Sequence, residues 1–380
     1  MKVSGDWLEH PGTQTLCRVL EDAGHQALFV GGCVRNALMG VEVADIDIAT
    51  DAVPEIVSAL AETAGLRVVP TGIDHGTVTV IAGGVAHEVT TFRQDLQTDG
   101  RHAVVAFSTL VEEDAARRDF TMNALYADRT GAVMDPLGGL PDLQARRVRF
   151  VGEPGARIAE DYLRILRFFR FFAHYGNPDG GIDAEGLAAC AANLDGIEAL
   201  SRERIGAEMR KLLAAADPAP AVASMAASGV LGIVLPGADA RSLGPLVHLE
   251  GQCAPRWLRR LAVLGGQDVG HRLRLSRHEV ADLCRIRDET GNIHSPAALG
   301  FLLGDSLGAD AVLARAAVLE QPLPEGWEAE VARGAAAEFP LRAADLMGRL
   351  QGPALGAALA AARARWLASN LTLTRAQLLG

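Results

Sequence analysis

The stretch that most constrains this chain is residues 31–50, GGCVRNALMGVEVADIDIAT. A short apolar run, Ala27 to Val30, precedes it and predicts a buried strand that ends directly at Gly31 and Gly32. Adjacent glycines let backbone N–H groups approach a phosphate closely, and Val34 to Met39 predicts a helix whose N-terminus favours an anion. The stretch therefore predicts a phosphate-binding turn between a strand and a helix.

The same stretch carries two carboxylates separated by one residue. Asp45 and Asp47 alternate with Ile46 and Ile48, a period-2 pattern that predicts a strand with both carboxylates on one face and both isoleucines toward the core. Neighbouring carboxylates repel each other unless a cation neutralises them, and Mg²⁺ is a hard cation that binds carboxylates together with phosphate oxygens. We therefore predict a Mg²⁺ site at Asp45 and Asp47.

A second run, RRDFTMNAL at residues 117–125, places charged and amide side chains before an apolar segment. Arg118 offers guanidinium donors for a triphosphate, Asp119 offers an acceptor for a ribose hydroxyl, and Asn123 lies four residues further on. Helix capping is the structural alternative, but it explains Asp119 alone. The whole run favours nucleotide binding.

A third run, EDYLRILRFFRFF at residues 160–172, predicts a helix with Asp161, Arg164, Arg167 and Arg170 at every third position. This spacing rotates around a helix of 3.6 residues per turn, so the charged side chains are flanked by Leu, Ile and Phe on nearly all sides. Arginines in apolar surroundings need partners. A bound nucleotide would supply them.

Asp161 and Arg164 also predict which bases such a site accepts. Cytosine and adenine present an amino donor beside a ring-nitrogen acceptor, whereas uracil and guanine present a carbonyl acceptor beside a ring N–H donor. A carboxylate beside a guanidinium complements the first pattern and clashes with the second. The pair therefore predicts a site that admits C and A and rejects U and G.

These runs, with Arg35 in the first turn after the glycine pair, resemble the signature of the polymerase-beta-like nucleotidyltransferase superfamily. The resemblance is to its class II branch, which contains the CCA-adding tRNA nucleotidyltransferases and the bacterial poly(A) polymerases, and it covers about residues 27–213. It implies that Asp45 and Asp47 are catalytic metal ligands. It also implies nucleotide-binding roles for ten residues: Gly31, Gly32, Arg35, Arg118, Asp119, Asn123, Asp161, Arg164, Arg167 and Arg170.

Two positions qualify the resemblance. Active sites of this superfamily generally place a further carboxylate on a neighbouring strand, and Glu88 in the run HEVTTFR is the candidate here. A surface glutamate on a strand is the alternative for Glu88. Asn36 stands where the family usually has Asp, so no metal role is carried to that position.

The composition excludes several other classes of function. Lys2 and Lys211 are the only lysines, which excludes a Walker-type phosphate loop because that loop needs its lysine. The net charge of −11 would argue against a nucleic-acid partner, but arginines concentrated between residues 146 and 170 give a local positive excess. No signal peptide or membrane span is recognisable, so we expect a cytoplasmic protein with no membrane partner.

The order of patterns predicts an α+β fold, with a small mixed α/β nucleotidyltransferase head followed by an all-helical neck, body and tail. We place the catalytic head at residues 1–140, the neck that recognises the base at 141–215, and the body and tail that bind tRNA at 216–380. The polar, turn-rich stretch 93–105 predicts a loop beside the site.

The resemblance implies transfer of CMP and AMP from CTP and ATP to the 3′ end of the tRNA acceptor stem, with pyrophosphate release and a two-metal mechanism. An A-adding enzyme or a poly(A) polymerase of the same family is the nearest alternative. A catalytically inactive RNA-binding protein on this scaffold is the alternative from another class, and retention of both metal aspartates with Asp161 and Arg164 argues against it. A nucleotidyltransferase acting on small molecules is disfavoured, because it would leave the helical C-terminal half without a purpose.

Overall fold

The computed structural model describes residues 1–73, 76–99 and 102–379. Contacts divide the chain into two compact units, Met1–Leu200 and Ser201–Gly380. The first unit combines a mixed sheet with helices, and the described residues of the second unit fold into helices. The predicted α+β fold class is therefore confirmed. The predicted boundaries at residues 140 and 215 stay predictions.

The strands described in the first unit form one mixed sheet and one separate hairpin. They are β1 (Leu28–Val30), β2 (Ile46–Thr50), β3 (Arg67–Gly72), β4 (Thr77–Ala82), β5 (Val85–Thr91), β6 (Arg93–Asp99), β7 (His102–Phe107), β8 (Tyr126–Ala127) and β9 (Val133–Met134). The sheet has the order β3-β4-β5-β2-β1-β8-β9, and β6 pairs with β7. Within the sheet, β2 and β5 are parallel and the other neighbours are antiparallel.

The helices of the first unit surround this sheet and continue beyond it. They are α1 (Asp6–Glu9), α2 (Pro11–Asp22), α3 (Gly32–Met39), α4 (Pro54–Thr63), α5 (Val111–Ala116), α6 (Leu140–Gln144), α7 (Pro154–Glu160), α8 (Leu163–Tyr175) and α9 (Ala184–Ala192). Pro11 and Pro54 each occupy a first helical position, where the missing N–H costs nothing and the fixed φ suits a helix. The start signals therefore come from the local sequence.

The second unit contains the remaining helices. They are α10 (Arg202–Leu213), α11 (Ala219–Ala227), α12 (Val230–Val234), α13 (Leu243–Glu250), α14 (Trp257–Leu264), α15 (Val269–Arg272), α16 (Arg277–Thr290), α17 (Pro296–Leu303), α18 (Asp305–Val318), α19 (Trp327–Ala335), α20 (Gly352–Ala368) and α21 (Arg375–Leu379). Within the described ranges, no helix is both long enough and apolar enough to cross a lipid bilayer.

Alternating burial fixes the face of β2 that carries the carboxylates. Ile46 and Ile48 are buried, whereas Asp47 between them is partly exposed, as the period-2 pattern predicts. Asp45 lies one residue before the strand begins and is exposed. The apolar side chains therefore hold β2 in the core and leave the carboxylates at its surface.

A cluster of phenylalanines packs the segment around Phe120 against α8. The rings of Phe120 and Phe150 have centroids 5.0 Å apart, Phe150 stacks on Phe168 at 5.2 Å, and Phe120 lies 4.9 Å from Phe171. All four side chains are buried. Aromatic pairs at these distances contribute about 0.5–1.5 kcal/mol each beyond the area they bury. The cluster therefore fixes α8 relative to residues 118–123.

Two local predictions were wrong. The stretch 93–105 was predicted as a loop, but its described residues, 93–99 and 102–105, contribute their backbone to the hairpin of β6 and β7. The turn residues favour a loop, whereas the β-branched residues that follow them favour a strand, and an Asp-Gly pair between two extended runs is a hairpin signal. The continuous helix predicted over 160–172 is interrupted at Asp161, where φ is −155° and ψ is 105°, and α8 begins at Leu163.

Buried charges in the second unit neutralise one another. Arg259 and Arg260 are buried and pair with Glu250 at 2.6 and 2.7 Å, and Arg259 also pairs with Asp310 at 3.1 Å. Removing one partner of such a group leaves an uncompensated buried charge, which typically costs about 3–5 kcal/mol. These arginines are therefore structural.

Candidate active site

The glycine turn between β1 and α3 leaves the helix N-terminus accessible. Gly31 has φ 68° and ψ −117°, a conformation that side-chain-bearing residues rarely adopt. A Cβ at Gly32 would meet no described atom within 4 Å, and a Cβ at Gly31 would lie 3.4 Å from Nη1 of Arg118. The first turn of α3 is therefore open to an anion and has a guanidinium beside it.

Arg35 is a buried cation whose described hydrogen-bond partners are all neutral. Its Nη1 donates to Oδ1 of Asn123 at 2.5 Å, its Nη2 donates to the hydroxyl of Tyr175 at 2.8 Å, and Nε and Nη2 both donate to Oδ1 of Asn36. The side chain is 6% exposed, and burial lowers the pKa of Arg35 below its ordinary value. A desolvated cation without a bonded carboxylate attracts an anionic ligand strongly.

Arg118 is held by a buried carboxylate. Its Nη2 donates to Oδ2 of Asp114 at 2.8 Å, and its Nε donates to the hydroxyl of Tyr126 at 3.1 Å. Although burial acts to lower the pKa of Arg118, Asp114 outweighs it and raises the pKa. No described residue accepts a hydrogen bond from Nη1, the atom closest to the glycine turn. Asp114 and Tyr126 therefore fix the guanidinium while one of its donors stays available.

Three carboxylates act on one another beside this turn. Asp47 and Glu88 are register partners on the parallel strands β2 and β5. The pKa of Asp47 is raised to about 6, chiefly by burial and then by the charge of Glu88, with a smaller contribution from Asp45. The positive charges of Arg118 and Arg35 act to lower the pKa of Asp47. The two predicted metal ligands and Glu88 are therefore brought into one electrostatic group.

The donor set fits a hard divalent cation. No described residue donates a hydrogen bond to the carboxylates of Asp45, Asp47 or Glu88, although Asp47 is largely desolvated. Across residues 1–73, 76–99 and 102–379, no three His, Cys, Asp or Glu side chains converge into a complete ligand cluster. Mg²⁺ in nucleotide sites typically takes one or two carboxylates and completes its shell with water and phosphate oxygens, which agrees with this arrangement.

A chain of hydrogen bonds joins the glycine turn to α8. Asn123 accepts from Arg35 and donates from Nδ2 to Oδ1 of Asp119 at 2.9 Å. Oδ2 of Asp119 accepts from Nε of Arg167 at 2.7 Å. Although burial acts to raise the pKa of Asp119, Arg167 and the bonded donors outweigh it and lower the pKa. Both oxygens of Asp119 therefore already bond to protein groups and orient Arg167.

Asp161 and Arg164 lie together at the start of α8. The carboxylate of Asp161 accepts from the backbone N–H of Leu163 at 3.0 Å, and its carbonyl accepts from the N–H of Arg164 at 2.9 Å. Arg164 donates to the Glu160 carboxylate at 2.5 Å, and to the carbonyls of Arg157 and Arg117. The break before α8 therefore presents Asp161 on extended backbone beside an anchored Arg164.

Three guanidinium groups surround the ring of Phe171. Cζ of Arg170 lies 4.6 Å from the ring centroid, and Cζ of Arg35 and of Arg167 each lie 5.2 Å away. The aromatic face is attracted to cations without neutralising their charge. Arg170, which sequence reasoning also assigned to the nucleotide site, is therefore placed with the other two arginines.

The structure gathers the predicted residues into two neighbouring groups. The glycine turn, Arg35, Arg118 and the carboxylates form one group, and Asp161 with Arg164 forms the other; Asn123, Asp119 and Arg167 connect them. Sequence reasoning missed the side chains that hold these residues in place: Asp114, Tyr126, Asn36, Glu160, Phe171 and Tyr175. Asn36, Glu160 and Phe171 lay inside recognised runs, but no role was predicted for them. For the others, no local pattern gave a signal.

Two family models match this chain. The model described as "Poly A polymerase head domain" matches residues 27–149, and the model described as "Probable RNA and SrmB- binding site of polymerase A" matches residues 181–241. The first match contains the glycine turn, the carboxylates, Arg118, Asp119 and Asn123. Asp161 and the arginines of α8 lie outside both matches.

Curated relatives match somewhat more than half of this chain. Human "CCA tRNA nucleotidyltransferase 1, mitochondrial" is 41% identical over 203 residues, which are 53% of this chain and 47% of the relative. The CCA-adding enzyme of Geobacillus thermodenitrificans is 41% identical over 224 residues, which are 58% of this chain and 54% of the relative. The match thus spans about half the length of these relatives.

Solved structures match almost the whole chain. The Bacillus stearothermophilus CCA-adding enzyme in complex with CTP superposes with a TM-score of 0.73 at 30% identity, covering 94% of this chain and 92% of that one. The Thermotoga maritima CCA-adding enzyme complexed with tRNA superposes with a TM-score of 0.69 at 18% identity, covering 100% and 97%. The second similarity concerns the fold alone.

Proposed function

We propose that this chain, which belongs to the class II family of CCA-adding enzymes and poly(A) polymerases, is a CCA-adding tRNA nucleotidyltransferase. It would transfer CMP and AMP from CTP and ATP to the tRNA 3′ end and release pyrophosphate. The observation that carries the proposal is the register pair of Asp47 and Glu88 beside a glycine turn that the buried Arg35 and the partly exposed Arg118 flank. The names of the relatives and the CTP complex support the same activity.

The triphosphate would bind at the first turn of α3. Gly31 forms the turn, and its N–H donates to the carbonyl of Leu125 at 3.3 Å. The backbone N–H of Gly32 would approach the phosphates, and the helix dipole favours their charge. Arg35 contributes a desolvated cation, and Arg118 contributes Nη1. Because both side chains are fixed by the protein before the nucleotide arrives, little conformational entropy remains to be lost on binding.

Asp45 and Asp47 would hold the metal, and Glu88 would add its negative charge beside them. The family is typically metal-dependent, and Mg²⁺ bound there would lower the pKa of the tRNA 3′-hydroxyl and neutralise the departing pyrophosphate. The position of the bound metal would be fixed by the half-buried Asp47, because Ile46 and Ile48 hold β2 in the core. The reaction forms a phosphodiester bond as the bond to pyrophosphate breaks, and it needs no covalent enzyme intermediate.

Asp161 and Arg164 would select the base. Asp161 accepts from the amino group of cytosine or adenine, while Arg164 donates to the ring nitrogen. Glu160 and two backbone carbonyls already hold the Arg164 guanidinium, which supports a fixed edge for reading. Uracil and guanine would set a carbonyl against the carboxylate and a ring N–H against the guanidinium.

The remaining assignments follow the same scheme. Asp119 and Asn123 orient Arg35 and Arg167, and Arg167 with Arg170 helps hold the nucleotide. We further propose residues 1–140 as the catalytic head, 141–215 as the neck, and 216–380 as the part that binds tRNA. A cytoplasmic location is part of this proposal.

Three radiolabelled tRNA substrates test the function: one ending before CCA, one after the first C and one after CC. Each is incubated with Mg²⁺ and with CTP, ATP, UTP or GTP, singly and in combination. We expect all three to be completed to CCA, with UTP and GTP refused. Extension only of the tRNA ending in CC, or unlimited A addition to any RNA, would leave an A-specific enzyme of the same family. Absence of Mg²⁺-dependent pyrophosphate release would leave an RNA-binding protein.

A further inference from the structure

Tyr175 contacts Arg35 in two ways at once. Its hydroxyl accepts a hydrogen bond from Nη2 at 2.8 Å, and Cζ of Arg35 lies 3.9 Å from the centroid of its ring. Tyr175 is the last residue of α8, 140 residues from Arg35 in sequence. The end of the proposed base-reading helix therefore contacts the arginine of the phosphate turn directly.

The chemistry of this contact matters because every described partner of Arg35 is uncharged. Asn36, Asn123 and Tyr175 satisfy its N–H groups, and Phe171 adds a second aromatic face at 5.2 Å. A carboxylate in the place of Tyr175 would neutralise the cation and compete with a bound phosphate. An aromatic ring with a hydroxyl stabilises the desolvated guanidinium while its positive charge stays available.

Arg118, in the same site, differs from Arg35 because it is paired with a carboxylate. Its guanidinium is paired with the buried Asp114, so much of its charge is compensated within the protein. Arg35 therefore carries the larger share of uncompensated charge at the glycine turn, and its orientation depends on neutral contacts. Phe171 and Tyr175 have ring centroids 5.4 Å apart, so the two rings form one aromatic surface against which Arg35 lies.

We infer that Tyr175 is a positioning residue, which holds Arg35 in its triphosphate-binding orientation and ties α8 to the phosphate turn. The inference rests on the proposed function for the identity of the ligand, a nucleoside triphosphate. It adds that affinity for the triphosphate depends on a side chain at the far end of the helix that carries Arg164. The effect is the same for CTP and ATP, because the contact concerns the phosphates and not the base.

Graded variants of the full-length chain separate the two contacts. Tyr175→Phe removes the hydroxyl and keeps the ring, whereas Tyr175→Leu removes both. We expect the KM for CTP and for ATP to rise about tenfold in Tyr175→Phe and about 100-fold in Tyr175→Leu, from the usual strengths of a charge-assisted hydrogen bond and a desolvated cation–π contact. The value of kcat should change less than threefold, which corresponds to less than about 0.7 kcal/mol. The melting temperature identifies any variant that has lost its fold.

Tyr162→Phe is the matched control. It removes a hydroxyl at the other end of α8, and Tyr162 packs its ring against Gly196 without a described hydrogen bond from that hydroxyl. Its KM values should equal those of the wild type. A purely structural role for Tyr175 would instead lower kcat and melting temperature together and would give no graded change of KM from Phe to Leu.

Binding of inorganic tripolyphosphate, measured by calorimetry in EDTA, tests the role of Tyr175 independently of the proposed nucleotide transfer. We expect Tyr175→Leu to weaken this binding and Tyr162→Phe to leave it unchanged, even if the wild type were to add no nucleotide to tRNA. Wild-type tripolyphosphate affinity in a folded Tyr175→Leu variant would overturn the inference. So would the absence of any tripolyphosphate binding by the wild type.

Discussion

Asp47 and Glu88 stand opposite each other in register on the parallel strands β2 and β5. Glu88 was identified in the sequence only as a carboxylate on a neighbouring strand, with a surface role as the alternative. The charge of Glu88 raises the pKa of Asp47 more than that of Asp45 does. Glu88 therefore forms one electrostatic group with Asp45 and Asp47.

Substituting Asp47 and Glu88 in turn distinguishes a carboxylate that binds the metal from one that only adds negative charge beside it. We expect Asp47→Asn to reduce nucleotide transfer by about 10²–10³-fold, the usual cost of removing one preorganised electrostatic group. Glu88→Gln should increase the Mg²⁺ concentration needed for half-maximal activity, with a smaller loss at saturating Mg²⁺. Rates of CMP addition over a Mg²⁺ titration measure both effects.

Glu62→Gln serves as the control for these variants, because Glu62 is exposed at the end of α4. It should match the wild type throughout the titration. An unchanged Mg²⁺ dependence in Glu88→Gln would restore the interpretation of Glu88 as a surface residue.

The raised pKa of Asp47 predicts how metal binding depends on pH. In the metal-free protein, Asp47 has a pKa of about 6, raised by burial and by Glu88. Protons compete with the metal for this carboxylate below that pH. Mg²⁺ affinity, measured by calorimetry, should fall by about tenfold per pH unit below 6 and should level off above 7. In Asp47→Asn the affinity should be weak, and its loss between pH 7 and pH 5 should be much smaller.

The sequence patterns that predicted the candidate site residues are local. The glycine turn, the alternation of Asp45 to Ile48 and the arginines of α8 each depend on neighbours a few residues away. The residues that hold the site together are distant in sequence. Asp119 and Arg167 are 48 residues apart, and Arg35 and Tyr175 are 140 apart. Periodicity carries no information about such contacts, because tertiary packing decides them.

The break at Asp161 shows a second limit of sequence reasoning. No proline or glycine marks it, and the apolar pattern continues through it. The Asp161 side chain bonds to the N–H of Leu163, and Asp competes with helical hydrogen bonding in this way. A carboxylate that starts a new helix looks the same in sequence as one that continues the old helix.

Substitution at Asp161 and Arg164 tests the proposed reading of the base edge. Asp161→Asn keeps the shape but adds an N–H donor, which can face the carbonyl of uracil or guanine. We expect incorporation of CMP and AMP to fall by about 10–100-fold, in line with a charge-assisted hydrogen bond. UMP incorporation should rise relative to CMP, as measured by single-nucleotide addition to tRNA lacking CCA.

Glu160→Gln provides a companion measurement, because Glu160 accepts from Arg164 at 2.5 Å but does not enter the proposed base contact. It should reduce the rate by loosening Arg164, while the order of preference among nucleotides stays that of the wild type. Equal losses for all four nucleotides in Asp161→Asn would contradict the edge-reading mechanism.

The lowered pKa of Asp114 predicts that the free energy of unfolding decreases at acidic pH. Burial acts to raise the pKa of this side chain, but Arg118 and Arg117 outweigh it and hold the pKa at about 2. The folded state therefore binds the proton more weakly than the unfolded chain, whose Asp has a pKa of about 3.9. The stabilisation is fully present above about pH 4 and is lost as the pH falls toward 2. A difference of nearly two pKa units corresponds to about 2–3 kcal/mol.

Urea unfolding of Asp114→Asn over a pH series measures this contribution. At pH 7 the free energy of unfolding should fall by at least about 2 kcal/mol, since the variant also leaves Arg118 without its carboxylate. The gap between wild type and variant should narrow as the pH falls from 4 to 2, because the wild-type carboxylate then becomes neutral. Glu112→Gln, at an exposed position on the same helix α5, should show a gap near zero at every pH. A gap for Asp114→Asn that stays constant down to pH 2 would mean that the contribution of Asp114 is not that of its charge.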